Sequence, residues 1–353
     1  MSGFRSVRLL AAAALLVAAR AGLAQIAPTE HPTLVRLTNG SLVVSVAPLL
    51  GGRVVELRTS TGENLLNADP RYWSAPPPPP ELGTPFEPWN GHTYWVGPQS
   101  AWWTQQDLDA ERRKARAPWP PDPFQETARY EIRERSETRL VLESTSSPIT
   151  GLSRRLEIEL VAPRTVRLRV TATNVRPKPV AWDLWSNTRA RPEGWAYVRL
   201  AEGGIRKVDG PGDGSPAYPH AERRGFFVSP PGERPVAPQA QRTSKAFLRP
   251  ESGEIDYFRG HELLRKRTDA KGESRLHPEQ ALVEIYRSAG REPAEDLLEL
   301  EMHGPYETLA PGAALSFEET WEVVDYPGPA DPEAHVAFLE GLSLSRTTPL
   351  PPR

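Results

Sequence analysis

Three ionisable side chains near the end of the chain, Glu299, Glu301 and His303, are spaced two apart and alternate with Leu298, Leu300 and Met302. Successive side chains of a strand point to opposite faces, so this pattern puts two carboxylates and an imidazole on one side and three apolar groups on the other. Glu301 and His303 then stand roughly 7 Å apart at Cβ. A carboxylate and an imidazole at that separation suit the movement of two protons on one small substrate, one group accepting while the other donates. Gly304-Pro305 turns the chain directly afterwards, and Pro311-Gly312 precedes a returning strand over residues 315–321, so the polar face ends at a turn. The plain alternative is a solvated strand face with no chemistry.

Several other chemistries lack their residues. There is no cysteine, which removes disulfides, thiolate metal sites and a cysteine nucleophile. His261-Glu262 begins like a zincin motif, but Arg265 stands where the second histidine ligand belongs, and the seven histidines show no other metal spacing. The sequence therefore assigns no metal and no cofactor, and leaves a calcium site of carboxylates and carbonyls open. Neither a Gly-x-Ser-x-Gly elbow nor a phosphate-binding loop occurs. Carboxylate and histidine chemistry remains, beside ten tryptophans. Six of these fall within residues 73–119, and Trp182, Trp185 and Trp195 form a second group. The CH-rich faces of sugar rings pack on tryptophan while their hydroxyls bond to Asn, Gln, Arg, His and carboxylates, so a saccharide or glycan is the ligand class these residues suit. Core filling is the competing explanation for any single tryptophan.

The elements that position these groups are strands. Thirty-nine prolines argue against long helices. Alternation over residues 33–38, the Asn39-Gly40 hairpin signal, and strands over 42–48 and 53–58 make an antiparallel meander. Residues 69–124 break the rhythm with Pro76 to Pro80 in succession and most of the tryptophans, as long binding loops do; residues 91–97 are one short strand carried between the loops. Alternation resumes over 127–134, 139–144, 152–161 and 165–174. Residues 180–188, with little charge, predict a deeper strand. Residues 201–241 form a second irregular excursion, followed by strands over 244–258 and 280–288. Asp331-Pro332-Glu333 starts a short helix that ends at Gly341.

Residues 1–24 have the form of a secretory signal peptide: Arg5 and Arg8, an apolar run over 9–19, and Gly22-Leu23-Ala24 before the cleavage point. The run is too short for a retained span, so no membrane span is expected after cleavage. Removal leaves about 329 residues and changes the net charge from -2 to about -5, which argues against nucleic-acid binding. The expected address is periplasmic or secreted. Residues 25–330 are expected to form one antiparallel β domain, followed by a short helix and tail over 331–353. The oligomeric state is not fixed by these features.

The sequence over residues 39–64, together with 298–321, resembles the first and last sheets of the galactose mutarotase-like (aldose 1-epimerase-like) superfamily. The segments GHTYWVGPQ and ELEMHGPY resemble an uncharacterised bacterial group within it. The resemblance implies an all-β fold, a β-supersandwich of large antiparallel sheets with few short helices, whose concave face holds a carbohydrate. It also implies aldose 1-epimerase chemistry, in which a glutamate removes the anomeric proton and a histidine protonates the ring oxygen. Leu300-Glu301, Pro305 and Pro311-Gly312 match the frame of the base, so Glu301 inherits that role. The acid's place, residues 173–188, contains no histidine; His92, His303 and Lys245 are the alternative acids. Tyr94, Trp95 and Gln99 inherit pocket-lining positions, and Trp185 and Asn187 are further candidates for saccharide contact. Two other readings stay open: a noncatalytic glycan-binding or cell-envelope structural protein, and a polysaccharide lyase or hydrolase using Tyr94 and Glu299.

Overall fold

The computed structural model describes residues 33–347 apart from 69, 74–75, 213–216, 233–241, 270–274 and 290–294. The expected leader at residues 1–24 and the end of the tail lie outside the described residues. All described residues lie within one compact unit, and none of their helices is long and apolar enough to cross a membrane.

The chain opens as its turn signals require. Strands β1 (Val35–Thr38) and β2 (Leu42–Ala47) are joined through Asn39-Gly40; Gly40 adopts φ 83°, and the Asn39 carboxamide oxygen accepts the amides of Ser41 and Leu42 at 3.1 and 3.0 Å. β3 (Arg53–Thr59) completes the meander. After the proline-rich loops come β4 (His92–Gly97) and two short helices, α1 (Ala110–Ala115) and α2 (Pro123–Glu126). A second meander follows in β5 (Tyr130–Arg135), β6 (Arg139–Ser144), β7 (Leu152–Ala162) and β8 (Thr165–Asn174).

β9 (Val180–Ala190) is buried along nearly its whole length. β10 (Trp195–Asp209) is the first departure from the sequence reading: it continues well into the glycine-rich stretch expected to be irregular. Register shifts between Leu200 and Lys207 absorb the irregularity, with Gly203 at φ 65° supplying backbone that a β-bulge accommodates. The same stretch then forms β11 (Ala221–Arg223) and β12 (Phe226–Ser229). The single strand expected over 244–258 is two, β13 (Arg242–Pro250) and β14 (Glu254–Arg259), because Glu251-Ser252-Gly253 makes a turn. β15 (Glu262–Thr268), β16 (Val283–Ala289), β17 (Leu297–His303), β18 (Glu307–Leu309) and β19 (Ala314–Asp325) complete the sheets. Helix α3 (Pro332–Thr347) outruns its expected end at Gly341. Asp331 caps it, its carboxylate accepting the amides of Glu333 and Ala334, both at 3.0 Å.

Every pairing is antiparallel. One sheet runs β1-β2-β3-β4-β9-β17-β16-β13-β10. The other runs β5-β6-β7-β8-β19-β15-β14-β10-β12-β11, so β10 belongs to both. Between them lies the main core, into which β17 sends Leu298, Leu300 and Met302 and β19 sends Leu315, Phe317, Trp321 and Val323. Tryptophans 103, 182 and 321 are fully buried; truncating such a ring costs roughly 3–5 kcal/mol. Core filling is thus what most of the tryptophans do. A separate apolar cluster, with Phe258, Tyr326, Val336 and Leu339, seats α3. The supersandwich expected from the resemblance is the observed architecture.

Candidate active site on the loop-covered face of the first sheet

Register sets the site. Within the first sheet, Glu301 on β17 stands opposite Asn187 on β9 and Glu284 on β16, and His303 stands opposite Trp185. Residues directly opposite share a face, so this face, turned away from the inter-sheet core, carries Trp185, Asn187, Glu284, Glu299, Glu301 and His303. Trp95 joins opposite Trp185, and Lys245 joins opposite Tyr286.

Glu301 has no exposed surface. Its Oε1 accepts the indole N–H of Trp185 and the amide of Asn187, both at 3.1 Å. Its Oε2 lies 2.9 Å from the Lys245 ammonium, which also lies 2.7 Å from Glu284. Glu284 in turn accepts the backbone N–H of Ala281 at 2.9 Å and sits 3.5 Å from His303 Nε2. On the other side of the imidazole, Nδ1 is 2.8 Å from the Gln280 amide and 3.5 Å from Asp183. Gly97 lets this end close up: a Cβ there would clash with Gln280 and Asp183. Among the described residues, no group of three or more His, Asp or Glu is arranged to hold a metal ion.

Burial and neighbours separate the two glutamates. For Glu301, burial and the nearby Glu299 and Glu284 outweigh Lys245 and raise its pKa to about 7. Glu284 is buried too, but Lys245 and protonated His303 flank it and hold it down to about 2. His303, which burial alone would neutralise, is raised to about 9 by Glu284 and Asp183. Lys245 is likewise raised, its two carboxylates overcoming desolvation. Of Glu284, Glu301, His303 and Lys245, Glu301 is the one whose pKa lies near neutrality. The Lys245 side chain is 21% exposed and its ammonium sits 4.4 Å over the Trp185 ring.

The proline-rich loops cover this face with aromatics. Trp185 packs against Trp95 and Trp102 at ring separations of 5.1 and 5.9 Å. The Trp95 N–H donates to Glu126. Beside Glu301, Glu299 is bonded to Arg189 at 2.7 Å. Arg189 also reaches Asn90 at 2.9 Å and stacks over Phe86.

Of the residues singled out from sequence, Glu301, His303, Trp95, Trp185, Asn187 and Lys245 come together here. Three do not. His92 and Tyr94 lie on the opposite face of β4, because Thr93 and Trp95 take the face of Asn187 and Trp185. Both point into the inter-sheet core, where the Tyr94 hydroxyl donates to Glu319 at 2.9 Å and His92 Nε2 lies 3.4 Å from the same carboxylate. His92 is therefore not placed to exchange protons with Glu301, nor Tyr94 to line its surroundings. Gln99 spends its amide on the Pro118 carbonyl at 3.0 Å and fixes a loop. Two cluster members were passed over: Glu284 and Asp183. Each is the lone acid in an otherwise apolar strand stretch, LVEIY and VAWDLW, and that isolation was the available signal.

The family model described as a domain of unknown function, DUF4380, matches residues 33–324. The chain belongs to the DUF4380 family. No curated protein matches it. Among solved structures, the chain is similar to the Slr1438 protein from Synechocystis sp. PCC 6803, with 11% identity, 84% of this chain and 97% of that chain covered, and a TM-score of 0.52. A candidate aldose 1-epimerase from Escherichia coli K12 is 13% identical over 83% of this chain and 99% of its own, with a TM-score of 0.51. A galactose mutarotase related enzyme from Lactobacillus acidophilus is 8% identical over 83% and 97%, with a TM-score of 0.52. At such identities the likeness is one of fold, and the fold of this DUF4380 chain is galactose mutarotase-like.

Proposed function

We propose that this protein binds a saccharide on the loop-covered face of the first sheet and exchanges its anomers, with Glu301 as base and Lys245 as acid. One observation carries the reading. A carboxylate sealed from bulk water, with one oxygen fixed by Trp185 and Asn187, lies 2.9 Å from the ammonium of Lys245, a side chain that is itself partly exposed.

The chemistry closes on these two groups. Glu301 takes the anomeric hydroxyl proton as the C1–ring-oxygen bond breaks, and Lys245 gives a proton to the ring oxygen. The open-chain aldehyde turns, and both transfers reverse on reclosure. The steps assist each other: protonating Glu301 removes one of the two negative charges that hold the proton on Lys245, so the ammonium becomes a stronger acid as the base fills. Glu284 and charged His303 stay fixed beneath the pair.

Polarimetric anomer exchange of aldoses, compared between wild type and Glu301→Gln, tests this. Loss of general base catalysis should lower the rate by about 10²–10⁴-fold; equal rates for the two proteins would rule the assignment out. The complete burial of Glu301 favours a second reading, a glycan-binding protein that turns nothing over. It predicts saccharide affinity without any exchange in wild type.

A further inference from the structure

Trp119 stands out from the other loop tryptophans because it is 48% exposed, the one aromatic among the large apolar residues left in solvent in the described structure. Leaving so large a ring in water forgoes burial that a neighbouring loop could have provided. Nor is it loosely held. The Gln99 amide donates to the carbonyl of Pro118 at 3.0 Å, and the Trp103 indole donates to the carbonyl of Pro120 at 2.7 Å, so the backbone is tied on both sides of the ring.

Two chains of contact fix where the ring stands. Trp119 lies 6.3 Å from Trp102, which lies 5.9 Å from Trp185, whose N–H is on Glu301. Trp119 also meets the half-buried Phe86 edge-on at 4.8 Å. Phe86 lies under Arg189, the partner of Glu299. The exposed ring therefore stands at the solvent edge of the aromatic layer that packs over Trp185, the partner of Glu301.

We infer that Trp119 is a second sugar-binding position, a stacking platform for the residue next to the one held over Glu301, so that the ligand is an oligosaccharide. This rests on the saccharide reading above and extends it to ligand length. A flat ring held rigidly at a rim loses little conformational freedom on stacking, which makes it an effective contact for the CH face of a pyranose. Phe86 supports it from the side.

The test is calorimetric titration of galactose, glucose and N-acetylglucosamine against lactose, cellobiose and chitotriose, using wild type, Trp119→Ala, Trp119→Phe and Glu301→Gln. Wild type should bind the best oligosaccharide at least about tenfold more tightly than its monosaccharide. Trp119→Ala should erase that increment while leaving monosaccharide affinity unchanged, and Trp119→Phe should restore most of it. Equal affinity of wild type for long and short ligands, or an increment that survives in Trp119→Ala, overturns the proposal. A length increment lost in Trp119→Ala, with monosaccharide affinity indifferent to Glu301→Gln, would uphold Trp119 and remove Glu301 from the binding site. No binding of any of these sugars to wild type overturns both.

Discussion

Glu301 and Glu319 are both fully buried strand carboxylates beside a lysine, and β9 carries partners for each. They lie on opposite sides of the first sheet. Glu301, on the loop-covered side, keeps one oxygen for a lysine that touches solvent. Glu319 projects from the second sheet into the core, and each of its oxygens has at least two polar neighbours. Oε1 accepts Tyr94 and Ser186, both at 2.9 Å. Oε2 accepts Trp321 at 2.9 Å and lies 3.3 Å from Lys266. That lysine, with no exposure, also donates to Thr188 and, at 3.0 Å, to the carbonyl of Leu300. The outcomes diverge accordingly. Burial raises both carboxylates, but Lys266, His92 and the hydrogen-bond donors hold Glu319 down to about 2, whereas Glu301 is left near 7. A buried acid becomes available for chemistry only where its donors are too few to fix its charge.

Removing the lysine from each cluster is the strongest way to break the comparison. Lys266→Met should cost about 3–5 kcal/mol, because the core then holds an uncompensated carboxylate. Lys245→Met should cost clearly less and weaken saccharide binding instead. Urea unfolding of the two variants reads both losses, and an equal loss would mean that the two faces do the same structural work. Lys266→Met combined with Glu319→Gln should recover part of the stability, since the stranded charge is gone.

The pH dependences should run in opposite senses. His92 is depressed to about 3 by burial and Glu319 to about 2, both below their unfolded values. The unfolded chain therefore binds more protons, and stability contributed by the core cluster is lost as pH falls from about 6.5 through 3 and 2. Glu301 is raised above its unfolded value, so the folded chain binds the extra proton and its contribution declines as pH rises from about 4.5 through 7. Exchange activity should instead rise through pH 7 as the base ionises. An activity flat between pH 6 and 8 would contradict Glu301 as the base. In Glu319→Gln the acid limb of stability between about pH 4.5 and 2 should shrink.

The smallest effect is expected at Gln99. Its amide serves the loop, so Gln99→Ala should leave monosaccharide affinity unchanged and cost no more than about 1 kcal/mol, the worth of one hydrogen bond. A tenfold loss of monosaccharide affinity would return Gln99 to the site.

Much of this was legible in the sequence because turns and alternation are local. Asn39-Gly40 and the polar–apolar rhythm of β7 and β8 placed strands, and the alternation of β17 singled out Glu301. What could not be read is which side of a strand faces which layer. β4 is buried at every position and β9 at nearly every one, so neither shows the polar-out pattern that would orient it. His92 and Trp95 were placed in one site from a six-residue strand whose two faces serve different clusters. Glu284 and Asp183 were missed for a related reason: their partners are remote in sequence and meet only through register. The glycines that suggested an irregular stretch after residue 200 are absorbed by bulges within a long strand.

β9 has a consequence for how this protein can be altered. Trp185 and Asn187 belong to one cluster and Ser186 and Thr188 to the other, with no idle position between them. Inserting or deleting a single residue would exchange the two sets at once, putting the indole and carboxamide into the core and the hydroxyls beneath the loops. Neither lineage nor designer can move this strand by one step and keep half of its job. Changes in ligand preference are therefore most accessible in the loops above it, where residues can be added without disturbing any register.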